Sequence, residues 1–291
     1  MLINEASKIA NLTKKAIEYY TEQKLIIPNI LDNGYRDFSE SDIERLKKIS
    51  TFRKLGLSTE EIKTVLADKT NNTLQKISMR KELNVQMEQA KKAILDQLSC
   101  GKNCAQINSE LKAIEQRLTI TEKLLEAFPG YYGRFICLHF ARFLNEPITT
   151  DEQQSAYEEV IAFLDNAPPI HLTEELQTFL VESTKHMSNE IIRDMIDKTK
   201  RSIENPDKFL SENKEVLEQY LAYKQSEEYK KSPVYKIQTV FKEFNNTSGY
   251  NDVFIPAMKK LSTSYAEYYK QMEISNERLL LQYPEIQTLN N

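Results

Sequence analysis

The stretch INEASKIANLTKKAIEYYTEQKLIIP, residues 3–28, decides how the chain begins to fold. Ile3, Ala6, Ile9 and Ala10 recur at helical spacing and predict one amphipathic helix. Asn11 and Leu12 break that pattern. Thr13 then stands where an N-cap residue belongs, ahead of a second helix with Ala16, Ile17 and Tyr20 on its apolar side. Two short helices joined by a turn of three or four residues make a helix-turn-helix. Pro28 ends the run. The next ten residues, NILDNGYRDF (29–38), carry Asn33-Gly34 between short flanks, the signal of a hairpin. They predict a small two-stranded ribbon, or wing.

Two further helices follow in the reading. Ser39 with Asp42 three residues on is a capping box, and Ile43, Leu46 and Ile49 carry the apolar face to Leu55, where Gly56 stops it. Ser58 with Glu61 repeats the device, with Ile62, Val65 and Leu66 behind it. Residues 74–98 form a polar helix with a rough stripe of Leu74, Ile77, Leu83, Met87, Ile94 and Leu98. After SCGKNC comes a helix at about 107–128. There Leu111, Ile114, Leu118, Thr121, Leu125 and Phe128 are spaced 3-4-3-4-3, a short heptad register. That stripe predicts either pairing between two chains through Leu111, Ile114, Leu118 and Leu125, or packing within its own domain.

From Pro129 onward the spacing predicts six or seven helices and no strand. One lies at 132–145. Another opens at Thr150 with Gln153. A long one runs from Thr173 to Ile203 with a break near Ser188. Asn205-Pro206 starts a helix to about Tyr223, Ser232-Pro233 starts one to Phe244, and the last stretch runs from Val253 to Tyr283.

Composition separates the chain into parts with different chemistry. Residues 1–70 hold 12 basic and 11 acidic side chains and residues 71–127 hold 9 and 7, whereas residues 128–291 are left with 18 and 25. Of the 27 Phe and Tyr, 22 lie in that last, acidic part. With only 6 Gly and 9 Pro in 291 residues, tight turns are few and helices are favoured. The net charge of −4 argues against coating nucleic acid through bulk charge but leaves room for a small reading domain. No apolar run reaches the length of a membrane span, and the N-terminus lacks an apolar export core. No contact with a membrane is expected, and the cytoplasm is the expected location.

The expected fold class is therefore all-α, in three parts. Residues 1–70 are a winged helix-turn-helix of four helices plus a two-stranded wing. Residues 71–128 are a dimerisation helix or helical hairpin. Residues 129–291 are an all-helical domain.

The first seventy residues resemble the MerR family of winged helix-turn-helix transcription regulators. The resemblance is carried by residues 3–28, by NGYRDFSESDIERLKKI (33–49) and by LGLSTEEIK (55–63). It implies double-stranded promoter DNA as a partner, a homodimer on a near-palindromic site, RNA polymerase engaged indirectly, and residues 129–291 as a helical effector- or ligand-binding domain. In the family, the promoter spacer is too long and the ligand-bound dimer untwists it, so that deformation carries part of the specificity. The DNA-facing residues implied are Thr13, Lys14 and Lys15 at the start of the recognition helix, Tyr19 and Tyr20 on phosphates, and Tyr35 and Arg36 on the wing. Tyr20 reads equally as a core aromatic. Glu18 departs from the family, which usually has Arg directly before the tyrosine pair, and a carboxylate there repels phosphate. Family position favours 74–98 as the pairing helix, the heptads favour 107–128, and a hairpin would use both.

The remainder reads as a sensor. Aromatic faces and carboxylates suit a lipophilic cation, a drug or antibiotic. The candidate ligand residues are Tyr131, Tyr132, Phe135, His139, Phe140 and Phe143, with Tyr265, Tyr268 and Tyr269. Each also suits a plain core. The alternative is a helical half that docks a partner protein across an exposed apolar groove. Cys100 and Cys104, with three residues between them and no His nearby, read as incidental thiols and not as a metal or redox site. No cofactor is implied. The three histidines form no metal-spaced set, and neither a phosphate-cradling glycine loop nor a nucleophile elbow is present, so no enzyme is expected.

Overall fold

The structure is a computed structural model that describes residues 1–289, except for the side chains of residues 104–106, 288 and 289. It divides into two compact units, Met1–Ile77 and Ser78–Asn291, and the predicted middle segment 71–128 falls in both.

The first unit opens with α1 (Ile3–Ala10) and α2 (Lys14–Glu22). Between them Asn11 takes a left-handed conformation, φ 51°, which a short amide side chain tolerates. The Ser7 hydroxyl donates to the Leu12 carbonyl at 2.6 Å and fixes the turn. Thr13 caps α2 by accepting from the Ala16 N–H at 3.1 Å. Strands β1 (Asn29–Ile30) and β2 (Arg36–Asp37) pair antiparallel, Ile30 opposite Arg36. Gly34, at φ 79°, closes the five-residue loop between them. Helices α3 (Glu40–Lys54) and α4 (Thr59–Ala67) both begin with the reciprocal capping boxes expected, Ser39 with Asp42 and Ser58 with Glu61. Ala6, Ile17, Tyr20, Leu25, Phe38, Leu46, Ile49 and Ile62 close over one core.

Helix α5 (Asn72–Ser99) carries Leu74 and Ile77 in this first unit. Asp68 holds its first turn: the carboxylate accepts from the Thr70 and Thr73 backbone N–H groups, both at 2.7 Å. Burial opposes ionisation there, but those bonds and the Thr70 hydroxyl dominate and bring the Asp68 pKa down to about 2.

In the second unit, residues 78–99 of α5 run antiparallel to α6 (Cys104–Ala127), tied by Arg80–Glu126 at 2.8 Å and by Lys102–Glu110 at 2.6 Å. Helices α7 (Gly130–Ala141), α8 (Asp151–Asn166), α9 (Glu174–Thr184) and α10 (Asn189–Glu204) follow. After them come α11 (Pro206–Glu212), α12 (Lys214–Gln225), α13 (Glu227–Lys231), α14 (Pro233–Thr247), α15 (Ile255–Leu261), α16 (Thr263–Gln282) and α17 (Ile286–Leu289). The core gathers Ile120, Leu124 and Phe128 with Ile136 and Phe140, Val160 and Phe163, and Phe254 and Met258. Gly133 allows α7 to fold back on the end of α6: a Cβ there would lie 1.3 Å from the Phe128 carbonyl oxygen. Among the described residues no helix is long and apolar enough to cross a membrane.

Eleven α-helices and one π-helical turn stand after Pro129 among the described residues, where six or seven helices were expected. The expected helix 206–223 is broken at Asn213, which leaves the helical conformation (φ −115°) while its side-chain amide and its backbone N–H both donate to the Phe209 carbonyl, at 2.9 and 3.0 Å. The expected run 253–283 is interrupted twice. Residues Tyr250–Phe254 form a π-helical turn after Gly249, which stands at φ 86°. Ser262 then leaves the helical conformation, accepts from the Tyr265 N–H and donates to the Phe143 carbonyl at 2.7 Å. The helix expected at 132–145 ends at Ala141, because Phe143 and Leu144 turn back in a tighter hydrogen-bonding pattern. The break expected near Ser188 is present, with Ser188 capping α10.

Candidate nucleic-acid interface and effector region

At the start of α2, Thr13, Lys14 and Lys15 are exposed. The N-terminal turn of a helix adds partial positive charge from its unpaired N–H groups, so this is a strong local attractor for phosphate. Tyr19 is exposed and its hydroxyl lies 3.3 Å from the Thr59 hydroxyl at the first turn of α4. Thr59 escapes sequence reading because it lies forty residues from Tyr19. Tyr20 is only 6% exposed. Its ring packs in the core, edge-on to Tyr19 at 5.7 Å, and so braces Tyr19. On the wing Tyr35 is exposed and Arg36 half-buried in β2. Glu18 is exposed on α2.

The heptad positions separate. Leu111 and Ile114 are half-buried. Leu118 packs against the second unit's core and Leu125 is 2% exposed within it. A side chain already enclosed by its own subunit has no surface left for a partner, so Leu125 belongs to the intrachain alternative. Beside this stripe, the Arg117 guanidinium donates to the side-chain oxygens of Asn145 at 2.8 Å and Gln86 at 3.4 Å.

Most of the predicted aromatic residues do come together. His139, Phe140 and Phe143 from α7 and the turn after it meet Tyr265 and Tyr268 of α16, with ring centroids 5.0–6.4 Å apart. Phe135 stacks toward His139 and Tyr131 toward Phe135. Tyr132 turns elsewhere, against Phe241 at 4.1 Å. Tyr269 sits beside Tyr265 and under the Lys259 ammonium. Burial, with the Arg142 charge adding to it, drives the His139 pKa down to about 4, so the ring is neutral at neutral pH. Burial raises Tyr132 to about 12.

The residue that sequence reading missed is Arg142. Its guanidinium lies over the Phe143 ring at 4.8 Å and the Tyr268 ring at 5.3 Å. The charge nearest this aromatic cluster is thus positive. A groove of about 640 Å³ opens beside it, lined by Arg142, Phe143, Asp197, Ile203, Glu267 and Tyr268 among others.

Among the described residues no group of three or more His, Cys, Asp or Glu is placed to hold a metal ion. Cys100 is exposed, and the side chain of Cys104 lies outside the described residues. Cys137 is buried, and that burial pushes its thiol up to about 12.

A capped second helix, a braced tyrosine and a two-stranded wing on one small core define a winged helix-turn-helix. The comparisons give that class its family. The profile described as "MerR HTH family regulatory protein" matches residues 1–69. Those residues are a MerR-family helix-turn-helix domain. The chain is similar to the HTH-type transcriptional regulator HmrR of Rhizobium leguminosarum bv. viciae, 42% identical over 67 residues, which are 23% of this chain and 52% of that one. It is similar to the HTH-type transcriptional regulator CueR of Yersinia pestis, 38% identical over 68 residues, 23% of this chain and 49% of that one. A longer match reaches the multidrug-efflux transporter 2 regulator of Bacillus subtilis strain 168, 27% identical over 123 residues, 42% of this chain and 40% of that one. The chain thus spans about half the length, or less, of these relatives. No solved structure matches it.

Proposed function

We propose that the chain is a DNA-binding transcriptional regulator that pairs with a second copy on a near-palindromic promoter and changes state when a small molecule binds its helical half. The observation that carries the first part is the exposed Thr13-Lys14-Lys15 turn on a capped helix beside Tyr19 and Thr59. Lys14 and Lys15 neutralise phosphates, Tyr19 and Thr59 donate to a neighbouring one, and Tyr35 and Arg36 grip the backbone beside the wing. RNA polymerase is reached through the shape of the promoter.

For the effector, a lipophilic drug or antibiotic remains the reading, supported by the aromatic cluster and by the likeness to a relative named as a multidrug-efflux regulator. The cationic half of that reading meets Arg142, which already occupies the Phe143 and Tyr268 faces. The alternative, docking of a partner protein, is favoured by one feature: Val216, Tyr220 and Tyr223 lie exposed along one face of α12.

The test is retention of DNA from upstream of the protein's own gene. Two chains per duplex on an inverted repeat, and weaker retention on a scrambled half-site, is the expected result. A monomer indifferent to inverted repeats refutes it.

A further inference from the structure

Four arginines lie along α7 and the helices packed on it, and only two of them, Arg193 and Arg142, have a carboxylate within ion-pair distance. Between α5, α6, α7 and α10 lies a cavity of about 190 Å³ into which Arg117, Arg142 and Arg193 all face. Arg193 is paired with Glu82, whose other oxygen accepts from the Asn189 amide at 2.9 Å. Arg117 bonds only neutral amide oxygens, and burial pulls its pKa down. Arg134, 3% exposed nearby on α7, bonds only the Met187 carbonyl and the Asn189 side chain, and its Nε and Nη2 have no partner. Arg142 has Asp197 at 3.6 Å, an ion-pair distance and not a hydrogen bond. Both its terminal nitrogens are buried with no hydrogen-bond partner.

A buried cation without a bonded counter-charge is costly, and a guanidinium whose N–H edge is empty pays that cost twice. The aromatic rings cover the faces of Arg142, and its buried terminal nitrogens lack the planar acceptor that a guanidinium edge suits. The 190 Å³ cavity has room for an acidic head group. It shares Arg142 and Asp197 with the 640 Å³ groove, whose apolar wall is Phe143, Tyr268 and Ile203. That groove falls within the volume usual for small-molecule sites, about 300–1,000 Å³.

We propose that these two cavities are one binding site for an amphipathic organic carboxylate, with its head between Arg117 and Arg142 and its apolar body along Phe143 and Tyr268. Asp197 is the internal stand-in that the ligand's carboxylate displaces from Arg142. The sign of the ligand is thus opposite to that of a lipophilic cation. The site deepens the reading of the helical half as a sensor, and rests on it.

The test uses the full chain without DNA and two probes of matched size, 1-naphthaleneacetate and 1-naphthylmethylammonium, titrated calorimetrically at neutral pH. The carboxylate is expected to saturate and the ammonium not to bind. Arg117→Gln and Arg142→Gln should each weaken the carboxylate by roughly tenfold or more, the effect of losing a charge-assisted bond. Asp197→Asn should tighten it, by removing the internal competitor. Circular dichroism checks that each variant is folded. Should Arg142→Gln not fold, Arg117→Gln and the contrast between the probes on the wild-type chain still decide. Equal binding of both probes, no saturation by the carboxylate up to its solubility limit, or wild-type affinity in a folded arginine variant overturns the proposal. Retention of inverted-repeat DNA by the same preparation separates that failure from a failure of the regulator reading.

Discussion

Replacing Lys14 and Lys15 together by alanine should alter how DNA affinity responds to salt more than it alters the fold. Both side chains are exposed, neither belongs to the core, and alanine is at least as good a helix former as lysine. The Thr13 cap on the Ala16 N–H is untouched. Each phosphate neutralised by a lysine contributes about 0.9 to the slope of log affinity against log salt, so the double variant should lose about 1.8 per chain. Two chains on one duplex double that to about 3.6. Over a fourfold rise in salt, the wild type's advantage should therefore shrink about twelvefold per chain engaged. Fluorescence anisotropy with a labelled inverted-repeat duplex, titrated at several salt concentrations, reads the slope directly. A variant that binds more weakly with an unchanged slope would show that these lysines touch something other than phosphate. A variant with unchanged affinity and slope would remove them from the interface and, with them, the main support for the orientation of α2.

Two further predictions concern pH. His139 has a folded pKa near 4 against about 6.5 when unfolded, so the unfolded chain takes up the proton first as pH falls. Stability should decline between about pH 6.5 and 4, by on the order of 2–3 kcal/mol, and His139→Gln should flatten that decline in urea melts even if it lowers stability overall. Asp68 behaves in the opposite sense. Its pKa is lowered on folding, so its contribution is present above pH 3.8 and fades as pH falls toward 2. Asp68→Ala should cost about 1 kcal/mol at pH 7 through the lost cap on α5, a difference that vanishes in melts near pH 2.

What the sequence disclosed follows the range of the interactions. Capping boxes at Ser39, Ser58 and Thr150 are contacts between residues three apart, and all are legible as written. The wing is legible for the same reason, since Asn33-Gly34 closes it locally. Tyr20 lies on the same face as Ile17 and so fits the core, but family position placed it on DNA. Leu125 shows the limit of a heptad: periodicity tells which side of a helix is apolar, not whose apolar surface covers it. Asn213 and Ser262 break runs whose hydrophobic pattern continues: both leave the helical conformation while their side chains bond backbone groups. Arg142 was illegible. Its meaning depends on Asp197 and Tyr268, far along the chain, and an arginine inside an aromatic run reads only as punctuation.

The corner at Phe128-Pro129-Gly130-Tyr131-Tyr132-Gly133 carries an implication for ancestry. Gly130 stands at φ 71° and position 133 admits no side chain at all, since even a methyl would overlap a carbonyl. Surface chemistry and inducer preference are free to drift between lineages, but these two glycines are not. A distant cousin that kept this helical half while trading its reader for another should still display the same pair, three apart, after a proline.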